Sequence, residues 1–156
     1  MKASELINIG SKKLKTNSIK SFILDSEILL SKVLNKKREE VLVDLNQKIE
    51  NNKILEFLKY IDRRALKEPI AYIIQQKEFW SKNFKVNNKT LIPRPETELM
   101  LEKLINIYKK KSINILDIGT GSGCIILSLL SELKSSKGIG IDISLGALQI
   151  AKKNAK

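Results

Sequence analysis

Apolar residues in the first 68 positions recur every three or four residues, which is the spacing of one face of an α-helix. This segment contains no proline and a single glycine, Gly10, so little interrupts the helical pattern. Asparagines separate its apolar stretches, as loop residues do. The pattern predicts a small bundle of four helices, near residues 3–15, 19–34, 37–43 and 52–66.

The pattern changes after Glu68, where β-branched and aromatic residues become frequent. The pair Asn87-Asn88 separates two short apolar runs, residues 84–86 and 90–92, in the way that the turn of a β-hairpin separates its strands. Residues 69–92 are therefore predicted to form a hairpin linker between two domains.

The remainder of the chain, residues 93–156, alternates strand-like and helical stretches. Pro95 and the acidic residues after it suit a helix N-terminus, which predicts a helix from about Glu96 to Lys110. Such alternation is typical of an α/β domain with a parallel sheet. The predicted strands are residues 113–116 and 138–142, and the predicted helices after them are residues 124–130 and 145–156.

Three glycines lie between the first of these strands and its helix, at Gly119, Gly121 and Gly123. A sharp strand-to-helix turn needs positive φ, and a nucleotide can approach the backbone closely only where no Cβ intervenes. A dinucleotide fingerprint, G-x-G-x-x-G, would place its third glycine at position 124, which is Cys124. The observed spacing favours S-adenosylmethionine over NAD as the ligand.

The second strand ends in a carboxylate, Asp142, which follows Gly123 by about 20 residues. In such folds an acid at this position meets the ribose hydroxyls, because a carboxylate can accept from both of them at once. A solvated acid at a strand end is the alternative interpretation. Given the glycine turn before it, we interpret Asp142 as the ribose-binding residue.

The amino-acid composition excludes several kinds of functional site. None of the 156 residues is a histidine, which excludes catalytic triads and zinc sites that depend on histidine. The single cysteine, Cys124, excludes an internal disulfide framework, and no run of about 18 apolar residues predicts a membrane span. We therefore expect a cytoplasmic protein without a metal site.

The net charge of +12 raises the question of a nucleic-acid partner. Of the 29 basic residues 25 are lysines, and they are spread along the whole chain, as solvated surface lysines are. We therefore expect no direct binding of nucleic acid, and we expect a monomer.

Four segments in a fixed order carry a family resemblance. They are Pro69-Ile70-Ala71-Tyr72, Glu78-Phe79-Trp80, Leu91-Ile92-Pro93-Arg94-Pro95-Glu96-Thr97-Glu98, and the glycine turn followed by Asp142. With these segments the chain resembles, over its entire length, the release factor glutamine methyltransferases of the HemK/PrmC family. A glycine turn alone would indicate only a class I methyltransferase, so the Pro-Arg-Pro-Glu-Thr-Glu segment is the most specific part of the resemblance.

The resemblance implies a fold, a reaction and a partner. The fold is a class I methyltransferase domain, here its first part at residues 93–156, preceded by a helical domain at residues 1–68 that docks the protein substrate. Members of the family transfer a methyl group from S-adenosylmethionine to the side-chain amide of the glutamine in the Gly-Gly-Gln motif of peptide chain release factors, which act in translation termination.

The resemblance also implies which residues contact the cofactor. Asp117 would lie on the side of the methionine ammonium group, or would stabilise the tight turn instead. Thr97 and Glu98 would approach the cofactor from the preceding segment, or would cap a helix. The implied cofactor-binding residues are Gly119, Thr120, Gly121, Ser122, Gly123, Asp142, Asp117 and Thr97.

The chain departs from the family pattern in two places. After Pro-Ile-Ala-Tyr the family has a glycine, whereas this chain has Gln75 or Gln76, so we expect a looser turn or one of another type. The catalytic Asn-Pro-Pro-Tyr motif, which holds and aims the glutamine amide, is absent from the 156 residues. We therefore expect the cofactor half of the site, an open sheet edge, weak cofactor binding at best, and no catalytic activity from these residues alone.

Two other functions fit the sequence. One is a methyltransferase that acts on RNA or on another protein, which the basic charge favours. The other is a non-catalytic module whose helical domain binds the release factor without methylating it. A preference for RNA would indicate the first, and release-factor binding without methyl transfer would indicate the second.

Overall fold

In a computed structural model that describes all 156 residues, the chain forms two compact units, Met1–Ile74 and Gln75–Lys156. The first unit consists of helices alone, and the second contains a hairpin followed by an α/β segment with a parallel pair of strands. The predicted fold class is confirmed by this order of elements. None of the helices is long and apolar enough to cross a membrane.

The helical unit contains the four predicted helices. Each begins and ends within three residues of its predicted first and last residue. Their apolar faces meet in one buried cluster, to which Leu29 and Ile61 contribute fully buried side chains. Helical periodicity is a local signal, so it places these elements well. The helices are α1 (Ala3–Thr16), α2 (Phe22–Leu34), α3 (Arg38–Val43), α4 (Asn51–Ala65) and a fifth, α5 (Ile70–Ile74).

Helix α5 lies in the segment that was predicted to be part of a hairpin, and this prediction is wrong. The carbonyl of Pro69 accepts hydrogen bonds from the Tyr72 and Ile73 N–H groups, which closes the first turn. The Ile73 side chain is buried against the helical core. Burial of this face outweighs the β-propensity of a segment with three isoleucines.

Gly10 allows α1 to pack closely against α2 and α4. A Cβ at this position would lie 2.5 Å from Ser26 Oγ and 2.8 Å from Phe57 Cζ. The Ser26 hydroxyl donates to the carbonyl of Ile7 across the same contact, at 3.0 Å. The Asp25 carboxylate is buried nearby, and its Oδ2 accepts from Nε of the partly buried Arg64 at 2.7 Å. The close packing at Gly10 and the ion pair of the buried Asp25 both depend on the helices lying in one arrangement.

The second unit begins with an antiparallel hairpin of β1 (Gln76–Phe79) and β2 (Lys82–Lys85). Its turn is formed by Trp80 and Ser81, with φ of 51° and 52°, and not by Asn87-Asn88 as the sequence predicted. A two-residue hairpin turn of type I′ needs positive φ at both positions, which Asn-Gly pairs usually signal and Trp-Ser does not. Here a residue outside the hairpin stabilises the turn, because Glu98 Oε1 accepts from the Trp80 N–H at 2.8 Å.

The α/β segment contains one parallel strand pair, in which Asp117 lies opposite Gly140 and Ile118 opposite Ile141. One sheet face is covered by helices, since a Cβ at Gly138 would lie 2.8 Å from Ile126 Cδ1. The elements after the hairpin are α6 (Glu96–Tyr108), β3 (Asn114–Ile118), α7 (Cys124–Glu132), β4 (Lys137–Ile141) and α8 (Leu145–Asn154).

The other sheet face carries exposed apolar side chains. We call this surface the open sheet face, and its side chains are Leu116, Ile118, Ile139 and Ile141, exposed by 60, 75, 66 and 45%. They alternate along each strand with residues that point toward the helices, as the period of two requires. A parallel sheet is normally covered on both faces, so this unit has half of the usual cover.

The boundary between the two units falls at Ile74 and Gln75, whereas the sequence suggested boundaries at residues 68 and 92. Helix α5 packs into the core of the first unit. The hairpin instead packs with α6 and α7 in the second core, where Phe79 and Leu101 are buried together. The hairpin is therefore part of the α/β unit in this structure.

Candidate functional site

The turn between β3 and α7 contains Gly119, Gly121 and Gly123, with φ of 78°, 56° and 78°. The sequence predicted positive φ here, and the structure confirms it. A Cβ at Gly119 would meet no atom within 4 Å, and one at Gly121 would meet only a carbonyl oxygen at 3.9 Å. The backbone at these two glycines therefore borders open space. Gly123 differs, because a Cβ there would lie 3.3 Å from that of Ala151.

The turn is fastened to the sheet by its first residues. The N–H groups of Gly119 and Thr120 both donate to the carbonyl of Ile141, at 2.8 and 2.9 Å. The Thr120 hydroxyl donates to Asp117 Oδ2 at 2.7 Å, and its side chain covers Gly140, where a Cβ would lie 2.7 Å from Thr120 Oγ1. Thr120 is thus buried and secures the turn, and Asp117 accepts its hydroxyl.

Asp142 follows β4 and lies beside the same turn. Its Oδ2 accepts from the Gly121 N–H at 2.8 Å, and its Oδ1 accepts from the Ser144 N–H at 2.8 Å. These two backbone donors, first Ser144 and then Gly121, hold the pKa of the carboxyl below its usual range. The carboxylate is therefore ionised at neutral pH, and each oxygen keeps a lone pair for another donor.

Ser122 and Cys124 turn their side chains inward. Ser122 is 2% exposed, and its carbonyl accepts from Asn154 Nδ2 at 2.8 Å. Cys124 is also buried, and this burial raises the pKa of its thiol, so the neutral form packs in the core. Only the backbone of Ser122 belongs to the turn surface.

Thr97 and Glu98 lie in the first turn of α6. The Thr97 N–H donates to the carbonyl of Arg94, and no hydrogen bond joins Thr97 to the glycine turn. Glu98 instead holds the hairpin turn through the Trp80 N–H. Cofactor contact by Thr97 stays a prediction.

The structure therefore brings together Asp117, Thr120, Gly121 and Asp142. The bond from Gly121 to Asp142 was not predicted, because it joins residues 21 positions apart in sequence. Sequence reasoning also missed Asn154, whose amide reaches the turn from the end of α8. No pattern in the sequence distinguishes it from the other asparagines.

The donor set of this site fits a cationic nucleoside such as S-adenosylmethionine. Two carboxylates, Asp117 and Asp142, lie at the ends of adjacent strands, and residues 117–123 contain no lysine or arginine. Carboxylates attract a sulfonium and an ammonium group, whereas they repel a pyrophosphate. The open space beside Gly119 and Gly121 leaves room for a ligand against the backbone.

Comparison with known proteins covers both units. Residues 5–74 match the family described as the PrmC N-terminal domain, and residues 109–156 match one described as a methyltransferase domain. The release factor glutamine methyltransferase of Buchnera aphidicola subsp. Baizongia pistaciae is 45% identical over 158 residues, which cover 100% of this chain and 56% of that relative.

Two further relatives extend the comparison. The release factor glutamine methyltransferase of Nitratidesulfovibrio vulgaris is 34% identical, over 97% of this chain and 51% of the relative. The bifunctional methyltransferase of Rickettsia prowazekii is 40% identical, over 85% of this chain and 29% of the relative. The chain thus spans about half, or less, of the length of these relatives.

Proposed function

We propose that this chain, which belongs to the PrmC/HemK family of release factor glutamine methyltransferases, carries the cofactor-binding half of a glutamine methyltransferase site. The observation that carries the proposal is the pair Gly121 and Asp142. The glycine N–H is bonded to the carboxylate beside a backbone that borders open space. This arrangement joins a ribose acceptor to the turn that would receive the rest of the ligand.

Each residue of the turn has a distinct part in this proposal. Asp142 accepts the ribose hydroxyls with the lone pairs that Gly121 and Ser144 leave free. Asp117 supplies negative charge on the side of the ammonium group, while Thr120 holds the turn against β4. S-adenosylmethionine, when bound, supplies an electrophilic methyl group for transfer to an amide nitrogen. Thr97 is proposed to approach the cofactor from α6.

The acceptor is proposed to be the glutamine of a Gly-Gly-Gln motif in a peptide chain release factor. Support comes from relatives that are named release factor glutamine methyltransferases and from the match of residues 5–74 to the PrmC N-terminal domain. We propose that the helical unit docks this substrate. The 156 residues contain no Asn-Pro-Pro-Tyr motif to hold the amide, so on their own they would bind the cofactor without transferring its methyl group.

Equilibrium dialysis with labelled S-adenosylmethionine tests the cofactor part of this proposal. We expect the 156-residue chain to bind, and Asp142→Asn to weaken binding about tenfold or more, because one acceptor oxygen becomes a donor that faces the N–H of either Gly121 or Ser144. Glu102→Gln, at an exposed position of α6, is the matched control and should leave binding unchanged. Absence of binding by the unchanged chain would contradict the proposal.

The acceptor part needs a second experiment, with a release factor as substrate. We expect no labelled methyl on the release factor from the 156-residue chain. We expect labelling of the Gly-Gly-Gln glutamine once the chain is extended with the second half of a full-length relative. Labelling of RNA in place of the factor would favour the alternative substrate class instead.

A further inference from the structure

Asn154, the last residue of α8, joins two parts of the second unit that are far apart in sequence. Its Oδ1 accepts from the Lys85 N–H at 2.8 Å, and its Nδ2 donates to the Lys85 carbonyl at 3.0 Å. The same Nδ2 donates to the Ser122 carbonyl at 2.8 Å. One side-chain amide therefore contacts the end of β2 and the glycine turn at the same time.

An amide is the side chain that suits this position. Lys85 presents a donor and an acceptor to it, and Ser122 presents a second acceptor, so the bridging group must both accept and donate. A carboxylate could accept from the Lys85 N–H but would repel the two carbonyls. An alkyl group would leave all three backbone groups without this partner.

The bridge formed by the Asn154 side chain between Lys85 and Ser122 affects the glycine turn because of where Ser122 lies. Ser122 lies between Gly121 and Gly123, two residues of positive φ in a turn that has few side chains to hold it. The turn is fastened to the sheet at its beginning by Ile141 and at Gly121 by Asp142. Asn154 holds the peptide group between Ser122 and Gly123, farther along the turn. The turn is therefore held from two directions, by the sheet and by the end of α8.

We propose that Asn154 is a positioning residue for the glycine turn, and that it ties the geometry of the turn to the edge of the hairpin. This rests on the proposed function in one respect, since the turn is where the cofactor is proposed to bind. Asn154 itself acts through the Ser122 peptide. Loss of the bridge should loosen the turn even when no ligand is present.

The test uses three variants of the 156-residue chain. Asn154→Ala removes the whole bridge, whereas Asn154→Asp keeps an acceptor for the Lys85 N–H and removes both donated bonds. Gln149→Ala changes an exposed residue of the same helix and is the matched control. Should the alanine variant fail to fold, the aspartate variant still separates the two functions of the amide.

Two readouts are measured on each variant. The first is amide hydrogen exchange of residues 119–127 without ligand, which we expect to become about tenfold faster in both Asn154 variants and to stay unchanged in the control. The second is affinity for S-adenosylmethionine, which we expect to fall about tenfold in the same two variants.

The outcomes separate the two proposals. Exchange and affinity in both Asn154 variants equal to those of Gln149→Ala would overturn the positioning role. An equal loss in the control would overturn it as well, because the effect would then belong to the helix as a whole. If the unchanged chain binds no S-adenosylmethionine, the proposed function fails, and the exchange measurement alone still decides the role of Asn154.

Discussion

The two units of this chain bury their apolar residues to different extents. The helical unit gathers 13 buried apolar residues in one cluster, whereas the cluster of the α/β unit contains five. Helices can surround a core from all sides, but a sheet has two faces and two edges that need cover. In the α/β unit the helices cover one face and leave the open sheet face exposed.

The comparison shows which unit closes its core with its own residues. The helical unit does so, and it matches a domain family over nearly its whole length. The open sheet face, by contrast, has the composition of an interior surface. The chain spans about half the length of the release factor glutamine methyltransferases that it matches, and its own residues leave this sheet face uncovered.

The largest difference in stability between the two units is expected when one isoleucine in each is replaced by alanine. Ile61 in α4 is fully buried, and Ile139 in β4 is 66% exposed. Ile61→Ala should lower the free energy of unfolding by about 4 kcal/mol, because it leaves a cavity in a closed core. Ile139→Ala should lower it by less than about 1 kcal/mol. Urea unfolding followed by circular dichroism measures both, and equal losses would refute the contrast.

Two adjacent arginines, Arg63 and Arg64, allow buried and exposed interactions to be compared within the helical unit. Arg64→Met should lower the free energy of unfolding by about 3 kcal/mol, because it leaves the buried Asp25 carboxylate without its partner. Arg63→Met removes a half-exposed ion pair with Glu68 and should lower the free energy of unfolding by less than about 1 kcal/mol. Thermal unfolding of both variants checks the difference. A larger loss for Arg63→Met than for Arg64→Met would contradict the assignment of Asp25 to the core.

The smallest expected effect lies at the boundary between the units. Gln75 has φ of 57°, a left-handed conformation that glycine adopts most easily. Gln75→Gly should raise the free energy of unfolding by up to about 1 kcal/mol, since relief of strain exceeds the added entropy of the unfolded chain. Gln76→Gly, in the adjacent strand, is the control and should destabilise. Denaturant midpoints of the two variants should therefore move in opposite directions.

Several parts of the fold follow from local signals in the sequence. Helices α1 to α4 were predicted because apolar spacing is a property of each helix alone. The glycine turn, and the position of Asp142 at the end of β4, were predicted because the residue types and spacing reflect local backbone geometry. The strands β3 and β4 were likewise marked by short apolar runs with glycine beside them.

Other parts depend on contacts that no local pattern records. Helix α5 is stabilised by burial of Ile73, and the Trp80-Ser81 turn by the distant carboxylate of Glu98. The bridge made by Asn154 spans 69 residues to Lys85 and 32 to Ser122. Such hydrogen bonds exist only once the elements have packed, so the sequence alone could not indicate them.

The closed core of the helical unit also has a consequence for the order of events during synthesis. Its residues are the first 74 of the chain, and they reach one another over short loops. Ribosomes add roughly 5–20 residues per second, so residues 75–141, up to the end of β4, take about 3–13 seconds to appear. A helical bundle folds far faster than that. The nascent chain would thus present a finished bundle while the sheet is still being translated.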